Sequence, residues 1–283
     1  MSRVGSKDKT TLLYQAVPNE FTHKLISDRL KKLNPNIEKQ SFDWFNEHGL
    51  RCDALEQHHV DRWPHYVFAG CSFTYGEGLP LEYTWPKIVH DYITKDNVGA
   101  RYINISYPGA SSSGIVQQIL AYCAEFGIPN YLFINLPDFG REFIVTRTCL
   151  SGRSAPMYTD GDDGKDITLE TLSRNLNTMI QMLASFGTDI YVGQWASSPD
   201  DRAFSNHVEL TEEYGDPLAD IRSNMVQFGK IKIPYIQDLI SKVPDYYQPL
   251  LEVAADDCHP GILQQMDYAN SFIKYFEKGK PTV

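Results

Sequence analysis

The stretch that decides the fold is residues 65–78, HYVFAGCSFTYGEG. Its apolar run, 66–69, predicts a short buried strand that ends in the glycine at position 70. Open α/β sheets bind their ligands beyond the carboxyl ends of their strands, so Ser72 would present a hydroxyl at that edge. The alternative is an ordinary strand-to-helix loop in which Ser72 caps the helix, because serine is a favoured N-cap.

The remainder of the chain alternates strand-like and helix-like segments, as a parallel sheet requires. Strands are predicted at residues 100–106, 130–136, 188–195 and 231–236, and helices at 85–93, 112–126, 169–186 and 262–276. The insert at 138–165 is charged and rich in glycine, which predicts a solvated loop at the substrate rim. The predicted fold class is therefore α/β, a three-layer αβα sandwich with a mostly parallel central sheet.

A second candidate segment is DDCHP, residues 256–260. An aspartate three residues before a histidine can fold back onto the imidazole and hold one ring nitrogen, so that the other nitrogen accepts a proton from a serine. Asp256 and His259 are therefore candidates for the carboxylate and the base that would activate Ser72. The alternative is that Asp256 or Asp257 caps the last helix and that His259 is merely exposed.

Three blocks in this order resemble those of the SGNH (GDSL-type) hydrolase family. Residues 70–76, GCSFTYG, look like its nucleophile block, residues 104–111, NISYPGAS, look like its second block, and D-x-x-H-P at 256–260 looks like its last. The resemblance spans about residues 64–277 and implies the flavodoxin-like SGNH hydrolase fold. The opening block also looks like those of hydrolase-like proteins encoded by tailed bacteriophages, which makes a virion or host-envelope role an alternative.

The resemblance also implies roles for individual residues. It makes Ser72 the nucleophile, His259 the general base and Asp256 the carboxylate that orients the base. The oxyanion hole would consist of the backbone N–H groups of Ser72 and Gly109, with the side-chain amide of Asn135 as a third donor.

The third block of the family, a Gly-x-Asn-Asp after a strand, is where this chain departs from the pattern. The strand at 131–134 runs into NLPD, and if Asp138 aligns with the aspartate of the block, Pro137 stands at the asparagine. Proline has no N–H to donate, so Asn135 is the candidate replacement from a shifted position. Losing one oxyanion donor typically costs about 100- to 1000-fold in turnover. A non-catalytic binding or structural protein on the same scaffold is accordingly the alternative function.

Cys71 is an alternative nucleophile to Ser72, because a thiol beside a histidine could be activated. The five cysteines are odd in number and lack Cys-x-x-Cys spacing, which predicts reduced thiols in an intracellular protein. The N-terminal sequence is polar and no apolar run approaches the length of a membrane span. These features predict a cytoplasmic protein, in the host cytoplasm or a virion if it is phage-encoded.

Charge and ligand spacing exclude two further classes. The formal charge of −10 and the pI near 5.2 argue against a nucleic-acid binder, which needs a basic face. His58 and His59 with Asp61 invite a metal site, but adjacent histidines point apart. The carboxylates at 160–163 lack the final bidentate glutamate of a calcium loop. No metal and no cofactor are predicted.

The sequence thus predicts a serine esterase that removes a short acyl group, in the first place acetyl, from a carbohydrate or another small alcohol. The loops lack a long apolar lid, which favours short acyl groups. Four aromatic residues are candidates for stacking on a sugar, with core or surface packing as the alternative: Tyr75, Trp85, Tyr107 and Trp195.

Two parts of the chain are predicted. Residues 64–283 form the hydrolase-like domain, and residues 1–63 form an N-terminal extension. The extension either packs on the core or mediates assembly, for example into a homo-oligomer.

Overall fold

The computed structural model of the chain describes residues 46, 50–55, 64–97, 99–137, 141–143, 154–156, 162–195, 221–229, 232–256 and 259–282. The strands are β1 (His65–Gly70), β2 (Arg101–Asn104), β3 (Tyr131–Leu136), β4 (Arg141–Phe143), β5 (Ser154–Pro156) and β6 (Asp189–Gln194). The helices are α1 (Ser72–Tyr75), α2 (Trp85–Ile93), α3 (Ser112–Phe126), α4 (Asp162–Ser185), α5 (Pro234–Ser241) and α6 (Ile262–Glu277). Short 3-10 turns lie at Leu81–Tyr83, Arg222–Asn224 and Asp245–Leu250.

Parallel strands form the central sheet in the order β2-β1-β3-β6. The chain runs from β1 outward to β2 and then returns to β3 on the other side of β1, so the strand order reverses there. The register aligns Phe68 with Phe133 and Phe133 with Tyr191, and their rings stack with centroids 4.9 and 5.0 Å apart. A reversal of this kind opens a crevice at the carboxyl edge of the sheet, between β1 and β3.

Helices cover the sheet in two pairs, with α2 packed against α6 and α3 packed against α4. Strands covered on both faces carry continuous apolar runs, because neither face meets water. Val67, Leu132 and Ile190 are all 0% exposed. The prediction of an α/β sandwich with a mostly parallel central sheet is confirmed.

The strand predicted at 231–236 is wrong, because α5 begins at Pro234. Proline suits the first turn of a helix, where the N–H it lacks would have no helical partner. The chain reaches the outer edge of β6 earlier instead. The Val226 N–H donates to the carbonyl of Val192 at 2.7 Å, and Gly193 and Val226 form a parallel bridge.

The insert at 138–165 is more regular than its composition predicts. Within it β4 and β5 pair antiparallel as a hairpin. Helix α4 begins at Asp162, well before the predicted start at 169.

The N-terminal extension is described only at residues 46 and 50–55. Leu50 and Cys52 are 0% exposed and belong to the hydrophobic core, and the Asp53 N–H donates to the carbonyl of Tyr102 in β2 at 3.2 Å. This short segment therefore packs on the core, while the domain boundary at residue 63 stays a prediction. The pair His58 and His59 lies outside the described residues. None of the helices in the described part of the chain has the length and apolarity that crossing a membrane requires.

Candidate active site

Ser72 lies where the sheet reverses its strand order. Strand β1 ends at Gly70, Cys71 is the N-cap of the short helix α1, and Ser72 is the first residue of that helix. The interpretation of Ser72 as the helix cap is therefore wrong. A side chain at position 70 would not fit, because its Cβ would lie 2.0 Å from the Thr74 Oγ1. The absence of a side chain at Gly70 thus lets Thr74 of α1 and the Asn135 carbonyl of β3 pack closely against the end of β1.

Cys71 and Ser72 differ in their surroundings although they are neighbours. The Cys71 side chain is 0% exposed and packs within the hydrophobic core. Ser72 is 3% exposed and stands at the start of α1, where backbone N–H groups of a helix first turn are directed outward. The Cys71 thiol therefore lies in the hydrophobic core, whereas Ser72 lies at the start of the helix.

The turn after α1 folds back onto Ser72. The N–H groups of Gly76 and Glu77 both donate to the Ser72 carbonyl, at 2.9 and 3.2 Å. Gly76 adopts a left-handed φ of 74° and Gly78 one of 72°, a conformation that glycine reaches without the Cβ penalty of other residues. The turn therefore folds back onto the Ser72 backbone through the backbone N–H groups of Gly76 and Glu77.

Arg51, from the N-terminal segment, holds this turn in place through hydrogen bonds to its carbonyl groups. It is 1% exposed, and its Nη1 donates to the carbonyls of Tyr75 at 3.1 Å and Gly76 at 2.6 Å. Its Nη2 donates to the carbonyl of Leu79 at 2.8 Å, and its guanidinium lies 5.4 Å from the centre of the Tyr75 ring. A single buried side chain thus cross-links three carbonyls of the turn that follows Ser72, and the sequence reasoning did not find it.

Asp256 and His259 contact each other through both the main chain and the side chain. The His259 N–H donates to Asp256 Oδ1 at 3.0 Å, and His259 Nδ1 lies in close contact with Asp256 Oδ2. The Asp256 carboxylate is 6% exposed and the imidazole 19%. A carboxylate on Nδ1 fixes the tautomer and the ring orientation, which leaves Nε2 to exchange protons.

Helix capping by Asp256 is excluded by the same geometry. The N-cap of α6 is Gly261, and no side chain makes a capping hydrogen bond there. Asp257 lies outside the described residues. Ring contacts then connect the two candidate segments, because Phe73, directly after Ser72, meets the His259 ring edge-on with centroids 5.7 Å apart. The Gly78 carbonyl also accepts from the Ala255 N–H at 3.1 Å.

Glu77 is a second carboxylate at the imidazole. Its Oε2 lies 3.6 Å from His259 Nε2, with the side chain of Glu77 15% exposed. The sequence reasoning did not find this residue, although it stands between the two glycines of the nucleophile block. Spacing along the chain gave no sign of it, since residues 77 and 259 meet only through the fold.

Gly109 and Asn135, the further oxyanion candidates, lie on neighbouring parts of the same edge. Gly109 has a left-handed φ of 76° in the turn between β2 and α3. The Tyr107 N–H in that turn approaches the Gly70 carbonyl at 3.4 Å. Asn135 is aligned with Gly70 in the register of β1 and β3. Both candidates therefore lie close to the end of β1.

The side chain of Asn135 is fully buried and unsatisfied. It is 0% exposed, and neither its amide nitrogen nor its amide oxygen has a hydrogen-bond partner among the described residues. Buried polar groups are almost always paired, so each exception calls for an explanation. Pro137, by contrast, offers only its carbonyl, which accepts from Gln194 Nε2 at 3.3 Å. An amide at position 135 is thus available where proline at 137 has none.

Most of the aromatic candidates for sugar stacking belong to the core. Trp85 is 0% exposed and stacks on Phe272 with centroids 4.4 Å apart, while Tyr75 and Tyr107 are each 4% exposed. Their interpretation as sugar platforms is therefore wrong. Trp195 is 7% exposed and packs on Phe73 with centroids 4.5 Å apart, so it borders the site from behind Phe73.

Comparisons with known proteins identify resemblance at the level of solved structures. No protein-family model matches this chain, and no curated protein matches it. A structure of TesA is similar over 77% of this chain and 99% of its own length, at 17% identity and a TM-score of 0.42. The psychrotrophic esterase EstA from Pseudoalteromonas sp. is similar over 76% and 97%, at 17% identity and a TM-score of 0.42. A member of the lipolytic protein G-D-S-L family from Veillonella parvula is similar over 77% and 100%, at 17% identity and a TM-score of 0.42.

Proposed function

We propose that this chain is a serine esterase of the SGNH (GDSL) type, with Ser72, His259 and Asp256 as its catalytic residues. The observation that carries the proposal is the double contact of Asp256 with the His259 backbone and Nδ1, at the sheet edge where Ser72 begins α1. A histidine held in this way has one nitrogen directed away from its carboxylate, as a general base requires.

The reaction follows from these positions. The Ser72 hydroxyl attacks the ester carbonyl while His259 Nε2 takes its proton, and the backbone N–H groups of Ser72 and Gly109 hold the oxyanion. The buried amide of Asn135 is the third donor, which accounts for its lack of a partner in the described chain. Nε2 then gives its proton to the leaving alcohol. Water, activated by the same nitrogen, releases the acid from the acyl-enzyme.

The substrate that fits best is an ester with a short acyl group, such as acetyl, on a carbohydrate or another small alcohol. Bulky rings border the imidazole, because Phe73 lies against both Trp195 and His259. This packing favours a small acyl group over a long chain. Among the described residues no cluster of potential ligands could hold a metal ion, and the proposed steps use side chains, backbone N–H groups and water.

The test is hydrolysis of p-nitrophenyl acetate by the wild type, by Ser72→Ala and by His259→Ala. Ser241→Ala is the matched control, because Ser241 is exposed and far along the chain, in α5. Loss of activity in both site variants, with the control unchanged and a fluorophosphonate attached to Ser72, is the expected result. Activity that survives Ser72→Ala would transfer the nucleophile role to Cys71.

The second candidate function is a non-catalytic binding or structural protein on the same scaffold. It is favoured by Pro137, which stands where the resembled family carries its oxyanion asparagine. A wild type that neither hydrolyses the ester nor reacts with the fluorophosphonate would support this candidate over the esterase.

A further inference from the structure

The carboxylate of Glu77 has no part in the proposed reaction, yet the chain holds it firmly at the catalytic imidazole. Its backbone lies between Gly76 and Gly78, both in left-handed conformations. The turn is fixed on each side. Arg51 donates to the Gly76 carbonyl at 2.6 Å, and the Ala255 N–H donates to the Gly78 carbonyl at 3.1 Å.

The fit at Gly78 is tight and disfavours a side chain there. A Cβ at that position would lie 3.0 Å from the backbone nitrogen of Ala255, in addition to the strain of its φ. The turn that carries Glu77 is therefore docked directly on the segment that leads to Asp256. From this turn the Glu77 side chain reaches the His259 ring, with Oε2 3.6 Å from Nε2.

The two carboxylates at His259 face different ring nitrogens. Asp256 occupies Nδ1, whereas Glu77 Oε2 lies 3.6 Å from Nε2. That distance is too long for a hydrogen bond, so Glu77 does not take Nε2 out of the reaction. It lies beside the nitrogen that hands a proton to the leaving alcohol.

This position locates Glu77 on the alcohol side of the ester. In the proposed mechanism the alcohol oxygen must approach Nε2–H as the bond to the acyl carbon breaks. A carboxylate only accepts hydrogen bonds, so it pairs with an alcohol that carries a second hydroxyl beside the esterified oxygen. It would also disfavour an anionic alcohol or thiol, since like charges repel.

We infer that Glu77 determines the specificity for the alcohol, by accepting a hydrogen bond from a free hydroxyl next to the esterified oxygen. The preferred substrates are then partial esters of polyols, sugars included, rather than esters of simple alcohols. This inference rests on the proposed esterase function and names the class of alcohol that the same site takes.

The test compares 2-hydroxyethyl acetate with 2-methoxyethyl acetate. The two esters share the acyl group and differ at the neighbouring oxygen, which carries a hydrogen that can be donated in the first and a methyl group in the second. The Glu77 variants distinguish the hydrogen bond from the effect of the added methyl group. For the wild type we expect kcat/KM to be about tenfold or more higher for the hydroxyl ester, as for a hydrogen bond to a charged acceptor. Glu77→Gln should reduce this preference and Glu77→Met should abolish it.

Glu82→Gln is the matched control, because Glu82 is an exposed carboxylate on the neighbouring turn, Leu81–Tyr83. It should keep the wild-type preference. Equal kcat/KM values for the two esters in the wild type would overturn the inference, as would a preference that persists in Glu77→Met.

A substrate without a second hydroxyl distinguishes failure of the esterase proposal from failure of the inference about Glu77. A wild type that hydrolyses p-nitrophenyl acetate and reacts with a fluorophosphonate at Ser72, but shows no preference between the two test esters, refutes only the role of Glu77. A wild type that does neither overturns both proposals.

Discussion

Arg51→Ala is expected to destabilise the protein strongly and to slow the reaction of Ser72. The guanidinium is 1% exposed and donates to the carbonyls of Tyr75, Gly76 and Leu79 through two nitrogens. Hydrogen bonds from a charged donor contribute about 1.5–3 kcal/mol each. Because Nη1 is shared between two carbonyls, two such contributions are a fair count. Water entering the vacated space would recover part of the loss.

The expected decrease in the free energy of unfolding is therefore about 3–5 kcal/mol, a large share of the roughly 5–15 kcal/mol that holds a typical domain folded. Urea unfolding followed by circular dichroism measures it. Lys280→Ala is the control, because it removes the same charge from an exposed side chain near the C-terminus and should change stability by less than about 0.5 kcal/mol.

The labelling rate of Ser72 distinguishes an Arg51 that holds the turn in position from an Arg51 that only stabilises the core. Arg51 acts through the carbonyls that follow Ser72, so Arg51→Lys, which keeps the charge but loses the planar fork, should remain folded. Its rate of fluorophosphonate labelling at Ser72 should nevertheless fall. If Arg51→Ala lost less than about 1 kcal/mol, below the usual cost of a lost charged hydrogen bond, or if Arg51→Lys labelled as fast as the wild type, this account of the turn would be refuted.

Three further outcomes are expected. Asn135→Ala should lower kcat about 100- to 1000-fold, as for a lost oxyanion donor. It should cost little stability, because the amide has no hydrogen-bond partner in the described chain. A large loss of stability with kcat unchanged would contradict the role of Asn135 as an oxyanion donor. Asp256→Asn should lower kcat by about 10⁴, because the amide selects the wrong tautomer of His259, and a smaller loss than tenfold would show that the contact is structural. Burial raises the pKa of the Cys123 thiol to about 11, so the thiol stays protonated at pH 8. Iodoacetamide should therefore modify Cys123 more slowly than a free peptide thiol until the pH approaches about 11. Rapid modification of the folded protein at pH 8 would refute this prediction.

The sequence predicted the sheet well where the residue pattern within one segment was enough to identify a strand. The run at 66–69 is apolar on both faces, short and closed by Gly70, which is typical of a strand covered on both faces, so β1 could be predicted from the sequence. The strand predicted at 231–236 was wrong for a local reason as well. Ile231, Ile233 and Ile236 suggest a strand, but Pro234 begins a helix, and it is Val226 that forms a parallel bridge with Gly193 of β6.

The candidate site likewise contains contacts between residues close together in the sequence, which could be predicted, and contacts between distant residues, which could not. The contact of Asp256 with His259 joins residues three apart, so spacing alone predicted it. The contacts of Arg51 and of Glu77 join residues that are far apart in the sequence. Neither has a pattern of its own, because a lone arginine or glutamate in a turn is ordinary in any sequence. Their roles depend on tertiary packing and became visible only with the fold.

Two features of the site share a physical logic that links stability to function. A buried amide without a hydrogen-bond partner in the described chain, as at Asn135, costs folding free energy. Two carboxylates at one imidazole, as Asp256 and Glu77 are at His259, repel each other. Proteins keep such local conflicts mainly at functional sites. Here both lie at the carboxyl edge of the sheet around Ser72, one at the end of β3 and one on the turn after α1. Their positions match the two charges that the proposed reaction must manage, the oxyanion on the acyl carbon and the proton delivered to the alcohol.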